Sequence, residues 1–136
     1  MAVTEFGWAT FNGAADAGGA VDAMIEWDEH GRAARLNTEC PRDENEQATY
    51  LREVLDVLVS ESVDAAFVYT FARYDLPHRS DPRLDLDRAS AGIVKVLDAL
   101  SDAEHPRYPG MPWQPKAAFT ALADIYQMCV RSSGVK

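Results

Sequence analysis

The feature that most constrains this chain is a shortage of sheet. Only two segments have the character of buried strands. Val63 to Phe71 (VDAAFVYTF) is a nearly continuous apolar and aromatic run, the pattern of a parallel strand covered on both faces. Ala2 to Trp8 (AVTEFGW) is a second β-favouring run, beginning one residue after Met1. Between them, Asp43 followed three residues later by Glu46 has capping-box spacing with Asp in the Ser/Thr position. It opens a helix of about five turns, on which Ala48, Leu51, Leu55 and Leu58 step by three, four and three along one apolar face. The acidic residues from Asp43 to Asp56 then form a solvated face. Strand, helix, strand, with long loops after each strand, is the grammar of an α/β protein with a right-handed crossover. Two parallel strands do not make an independently stable sheet. The remaining sheet is expected from elsewhere, because the first strand starts at residue 2 and leaves no chain ahead of it to cover its edge.

The other elements are smaller. Ala23 to Trp27 and Arg32 to Leu36 flank Asp28-Glu29-His30-Gly31, a hairpin whose turn uses Gly31 for positive φ. Trp27 on this hairpin suits a rim or partner contact. Ala72 to Arg83 is a polar loop with two prolines. Ala89 to Leu97 fits a short helix or an extended run equally well. Pro112-Trp113-Gln114-Pro115 is expected to start a second helix with proline in its first turn, with Phe119, Leu122, Tyr126 and Cys129 facing the core.

Composition bounds the function classes. At 136 residues with 47% hydrophobic side chains, the chain has material for one core, so residues 1–136 form a single domain. A net charge of −9 excludes a phosphate backbone or an anionic membrane as the favoured partner. The longest uncharged stretch, Ala65 to Ala72, is too short to span a bilayer. The opening residues lack a basic, apolar leader, so a cytoplasmic location is expected. Cys40 and Cys129 lie far apart, without CxxC spacing or a nearby His. They suit free thiols rather than a metal or redox site, and no cofactor is implied.

Thr4-Glu5-Phe6-Gly7 at a strand end, GAADAGG (Gly13 to Gly19), DAAFVYTFARYDLPHR (Asp64 to Arg79) and YPGMPWQPKAAFTALADIY (Tyr108 to Tyr126) together resemble the C-terminal third of actinobacterial glycosidase-like (β/α)8-barrel proteins, often labelled abortive-infection-like. The resemblance covers nearly the whole chain and implies an α/β fold comprising strands seven and eight of a barrel, with the hairpin as an insertion. A complete barrel needs roughly 250 residues, so strands one to six and their acid/base carboxylate are missing. Retaining hydrolysis needs two carboxyl groups about 5 Å apart, and this chain alone does not supply both. The implied partner is a larger subunit carrying strands one to six, with association of several copies as the other route to closure. Two-subunit proteins of this kind are similar to the aziridine-forming pairs of azabicyclic natural-product pathways in actinomycetes. Those enzymes act on substrates presented by a carrier protein, where an amine displaces a neighbouring sulfate ester. That likeness rests on architecture, and no motif carries it.

The resemblance implies that Glu5 lies at the barrel mouth, as nucleophile in a glycosidase or as a base or cation-holding group in a ring closure. The bland reading is a Glu braced by an Arg. The loop after the second strand concentrates Arg73, Tyr74, Asp75, His78 and Arg79 at the same mouth. His78 and Asp75 are the candidate catalytic groups beside Glu5, His78 because its charge switches near neutral pH. Arg73, Tyr74 and Arg79 are candidate substrate contacts, since guanidinium forks suit a departing sulfate or a phosphate. Scaffolding is the alternative for each, with Asp75 capping a turn and Arg79 paired with Asp81. Trp8 and Asn12 follow the first strand and complete the candidate substrate-binding set with Tyr69 and Phe71, which serve as a subsite floor or as core packing. The functional expectation is an enzyme subunit performing intramolecular substitution. A retaining glycoside hydrolase subunit and a non-catalytic interaction module are the alternatives.

Overall fold

The computed structural model describes residues 1–98 and 108–132. Six short strands occur among them, β1 (Ala2–Phe6), β2 (Ile25–Trp27), β3 (Ala33–Leu36), β4 (Ala65–Val68), β5 (Val94–Val96) and β6 (Trp113–Pro115). The helices are α1 (Ala14–Ala17), α2 (Glu44–Ser60) and α3 (Ala117–Ser132), with 3-10 turns at Gly18–Met24 and Leu86–Ala89. The strands form three two-stranded sheets: parallel β1 and β4, antiparallel β2 and β3, and antiparallel β5 and β6. The chain is therefore mixed α/β.

The β1-α2-β4 unit follows the sequence expectation. Asp43 caps α2 through its carboxylate, which accepts the Glu46 backbone N–H at 2.8 Å. Glu46 does not return the bond as a capping box would. Its carboxylate instead accepts the backbone N–H of Gly13 at 3.0 Å, tying α2 to the loop after β1. Ala48 is buried, and Leu51 and Leu55 pack with Ala118, Leu122 and Ile125 of α3, with Ile93 and Val94 in the same cluster and Phe6 and Val68 of the parallel sheet packed on it.

Three expectations need correction. The run expected to be a strand buried on both faces forms β4 over only four residues, and one face is bare. Phe67, Tyr69 and Phe71 are 60%, 42% and 45% exposed. Within β4 side chains alternate, so Val68 packs on the helix-side cluster while Phe67 points away from it; Phe71, beyond the strand, rests edge-on against Trp113. Second, Trp113–Pro115 is strand rather than helix, pairing with β5 so that Val94 opposes Pro115 and Val96 opposes Trp113. Proline is tolerated there because an edge strand need not donate from every residue. The helix starts only at Ala117, whose N–H donates to Glu44 Oε2 at 3.1 Å. Third, α3 buries Ala118, Ala121, Leu122 and Ile125, while Tyr126 and Cys129 are exposed. The stripe that meets α2 therefore runs through Ala118, Ala121, Leu122 and Ile125, and Tyr126 and Cys129 fall outside it. The ambiguous Ala89 to Leu97 segment resolves as the end of a 3-10 turn followed by extended β5.

A second cluster, Ala9, Phe11, Ile25, Leu36, Leu76 and Leu86 among others, packs the hairpin and the loop after β4 over the strand ends. Gly31 in the hairpin turn has φ 71°, as its role requires. At Gly7 the constraint is space, because a Cβ there would lie 1.8 Å from the Tyr69 carbonyl oxygen. Gly7→Ala is accordingly expected to destabilise the chain by about 1–3 kcal/mol through forced displacement of β1 from the end of β4, measured as a lower urea midpoint at unchanged m-value.

Candidate functional site

The pairing of β1 with β4 sets the direction of Glu5. Val3 opposes Ala66 and Phe6 opposes Val68, so three steps on β1 match two on β4. The extra residue is a bulge at Thr4-Glu5. In a regular strand Glu5 would share the side of Val3. With the bulge, Val3 and Phe6 are both half-buried, whereas Thr4 and Glu5 are both exposed on the open side, the side of Phe67 and Tyr69. Among the described residues Glu5 has no ion pair or side-chain hydrogen bond.

Beyond Glu5, Trp8 leans on α2 with its ring 3.7 Å from that of Tyr50, centroid to centroid. Asn12 is drawn to the head of α2, its amide donating to Glu46 at 3.3 Å and to Asp43 at 3.5 Å. Tyr69 follows β4 on the bare face, with Phe71 edge-on to Trp113 at 5.2 Å. Tyr74 is exposed. Arg73 and Asp75 form a bidentate pair at 2.8 and 2.6 Å. That pairing holds the Asp75 carboxyl below its ordinary range and raises Arg73 further. Arg79 pairs with Asp98 at 2.9 Å rather than with Asp81. Glu5, the bare aromatics, Trp8 and Arg73 thus gather around the C-terminal ends of β1 and β4, whereas Asn12, His78 and Arg79 turn into the scaffold.

His78 belongs to a group the sequence reading did not find. Its Nδ1 lies 2.9 Å from Asp85 Oδ1 and 3.2 Å from an Arg42 nitrogen. Asp85 and Asp87, both about 1% exposed, sit in the 3-10 turn Leu86–Ala89 or next to it. Arg42 reaches both carboxylates at 2.9 Å, Arg88 reaches Asp85 at 3.0 Å, and Lys116 reaches Asp87 at 2.9 Å. Lys116 Nζ also donates to the Thr10 hydroxyl at 2.7 Å, which donates to the Ser90 carbonyl at 3.0 Å. Burial pushes the Asp85 carboxyl up, but hydrogen bonding from His78 and the charge of Arg42 outweigh it and hold the group well below its usual range. Burial lowers Lys116 by more than Asp87 raises it. In sequence these residues are scattered from Thr10 to Lys116, with no motif spacing to reveal them. The nearest signal was Asp85-x-Asp87, which also fits a solvated turn.

Another residue without a sequence signal is Asp22, in the 3-10 turn after α1. With Gly7, Trp8, Ala9, Arg73 and Ala91 it borders a cavity of about 320 Å³ beside the strand ends. Among the described residues no three His, Cys, Asp or Glu side chains come together as a metal site, and no helix is long and apolar enough to cross a membrane. In comparisons with known proteins, the sequence matches no family model and no curated protein is significantly similar to it.

The Asp85 carboxyl is more acidic folded than unfolded, so its stabilising contribution is complete above the unfolded carboxyl range at about pH 4, begins to fall as pH drops below that range and is gone only below the depressed folded value. Asp85→Asn should cost about 3–5 kcal/mol at neutral pH by leaving Arg88 without its carboxylate and Arg42 with one fewer. It should also flatten the acid limb of a stability–pH profile recorded by urea denaturation.

Proposed function

We propose that this chain is the small subunit of a split glycosidase-like (β/α)8-barrel enzyme, in which a larger subunit carrying the first six strands closes the sheet around the bare face. The observation that carries the reading is the bulge that turns Glu5, unpaired among the described residues, to the same side as Phe67 and Tyr69. A lone carboxylate beside exposed aromatics is a poor free surface. It is a reasonable lining for a closed mouth, because barrel catalytic groups sit at C-terminal strand ends. The two-stranded parallel sheet is likewise too small to stand alone.

The reaction we assign is an intramolecular substitution on a carrier-bound substrate, forming an aziridine. The amine lone pair attacks the neighbouring carbon, the carbon–oxygen bond to the sulfate ester breaks, and sulfate leaves with the bonding pair. The proton lost from nitrogen goes to a carboxylate, for which Glu5 is the candidate general base. Arg73, fixed by Asp75, would face the leaving sulfate with its remaining donors. No cofactor is required for this electron flow.

Co-expression with a protein of about 200 residues resembling the first six strands of such a barrel tests the assembly. A stable heteromer is expected on size exclusion, and Phe67→Arg or Phe71→Arg should abolish it. A monodisperse monomer with native secondary structure that ignores that partner would overturn the split barrel. In the assembled enzyme, Glu5→Gln should lower sulfate release at least 100-fold. Aryl-glycoside turnover without sulfate release would instead reassign the complex as a glycoside hydrolase.

A further inference from the structure

Gln47, near the head of α2, has only 4% of its surface exposed, so both ends of its amide have to find partners inside the protein. The nitrogen finds two. Nε2 donates to the Trp8 carbonyl at 2.7 Å and to the Gly92 carbonyl at 3.2 Å, which ties α2 to the segment after β1 and to the one before β5. These acceptors fix the orientation of the group, because a rotated amide would set Oε1 against two carbonyl oxygens. The oxygen accepts no hydrogen bond from any described residue, although it is buried. The carboxylate oxygens of Asp87 also lack well-aligned donors, but Arg42 and Lys116 stand 2.9 Å from them and neutralise them. Gln47 Oε1 has no such compensation.

A space of about 10 Å³ adjoins this amide, bordered by Phe6, Trp8, Leu51, Val68, Ile93 and Ala118 among others. A buried water needs about 10–15 Å³ of such space and roughly two to four polar partners. Size therefore admits a single water and no organic ligand. A wholly apolar lining would leave the space dry, and Gln47 is the side chain that makes it polar. A water that donates to Oε1 has its own oxygen to satisfy, and the Trp8 N–H, at the border of the same space, has no acceptor among the described residues. A cation in the same place would need several oxygen ligands, and the Trp8 and Gly92 carbonyls are already turned to Nε2.

We propose that this space holds one internal water, which donates to Gln47 Oε1 and accepts from the Trp8 N–H, so that Gln47 and its water grip both polar groups of the Trp8 backbone. Gly7, Trp8 and Ala91 border this space and also the larger cavity beside the strand ends. The water thus lies behind the wall of that cavity and positions Trp8 there. The site is complete within this chain and stands whatever reaction or partner the cavity serves.

Crystallography of the full chain, alone or in the complex with which it purifies, tests the site directly. One peak refining as water is expected within hydrogen-bond distance of both Gln47 Oε1 and the Trp8 nitrogen. Solution NMR gives an independent reading. The Trp8 amide should show cross-relaxation with water, at the sign that marks a long-lived bound molecule rather than exchange with bulk solvent. Gln47→Met, similar in length and without a hydrogen-bonding amide, should abolish that cross-peak and speed hydrogen exchange at the Trp8 amide by about tenfold or more. The two wild-type measurements decide the matter even where that variant fails to fold. A protein donor on Oε1, no peak beside it in well-ordered density, a cation refining there in place of water, or a cross-peak that survives Gln47→Met would overturn the proposal.

Discussion

Two aspartates at one 3-10 turn, Asp85 just before it and Asp87 within it, hold the loops of this protein together. Both are buried, and two ionised carboxylates in that position are tolerable only because Arg42, Arg88 and Lys116 neutralise them. The partners come from the segment before α2, from the turn itself and from the junction of β6 with α3, while Thr10 joins from the loop after β1. Every loop that leaves the C-terminal end of a parallel strand is thereby tied to a common centre. Ion pairs of this kind are weak sources of net stability, since desolvation offsets much of the attraction. Their effect is geometric, because a displaced loop would strand a buried charge. The rigidity of Trp8, Ala9 and Ala89 at the strand ends follows from this centre.

The parallel sheet obeys a different constraint. Helices α2 and α3 cover one face with alanine-mediated packing, and nothing among the described residues covers the other. The bulge in β1 adds a carboxylate to that uncovered side instead of hiding it among the helices. Burying Glu5 beneath α2 would have required a partner cation, and none is close. On the open side the charge is hydrated until another surface arrives. The proposed barrel closure and the exposed aromatics are therefore two aspects of one arrangement, with the sheet finished on the inside by helices and left unfinished outward.

Local patterns were legible where one segment supplies the whole signal. The Asp43 cap, the apolar stripe of α2, the hairpin turn at Gly31 and the strand character of Ala2 to Phe6 all depend on neighbours within a few residues, and each is where the sequence places it. The pattern misled at Trp113, where proline suggested a helix start and pairing with Val96 made a strand. It misled again on α3, where the larger residues seemed to mark the buried side and the stripe that meets α2 runs through Ala118 and Ala121 instead. Of the candidate site, Glu5, Arg73 and the aromatics at Tyr69 and Phe71 were visible as residue types at strand ends. The contacts of His78 with Asp85, and the presence of Asp22 and Arg73 at one cavity, were not.

The sequence by itself determined the elements and the imbalance among them: one βαβ unit, too few strands, an acidic surface and a carboxylate at the end of the first strand. Those follow from periodicity, propensity and charge, which act over short stretches of chain. Only the tertiary structure decided which face of β4 is bare, which way Glu5 turns and which charges meet. The first two depend on register between β1 and β4, some sixty residues apart, where a shift of one residue exchanges the two faces of a strand, and the third on contacts between segments tens of residues apart.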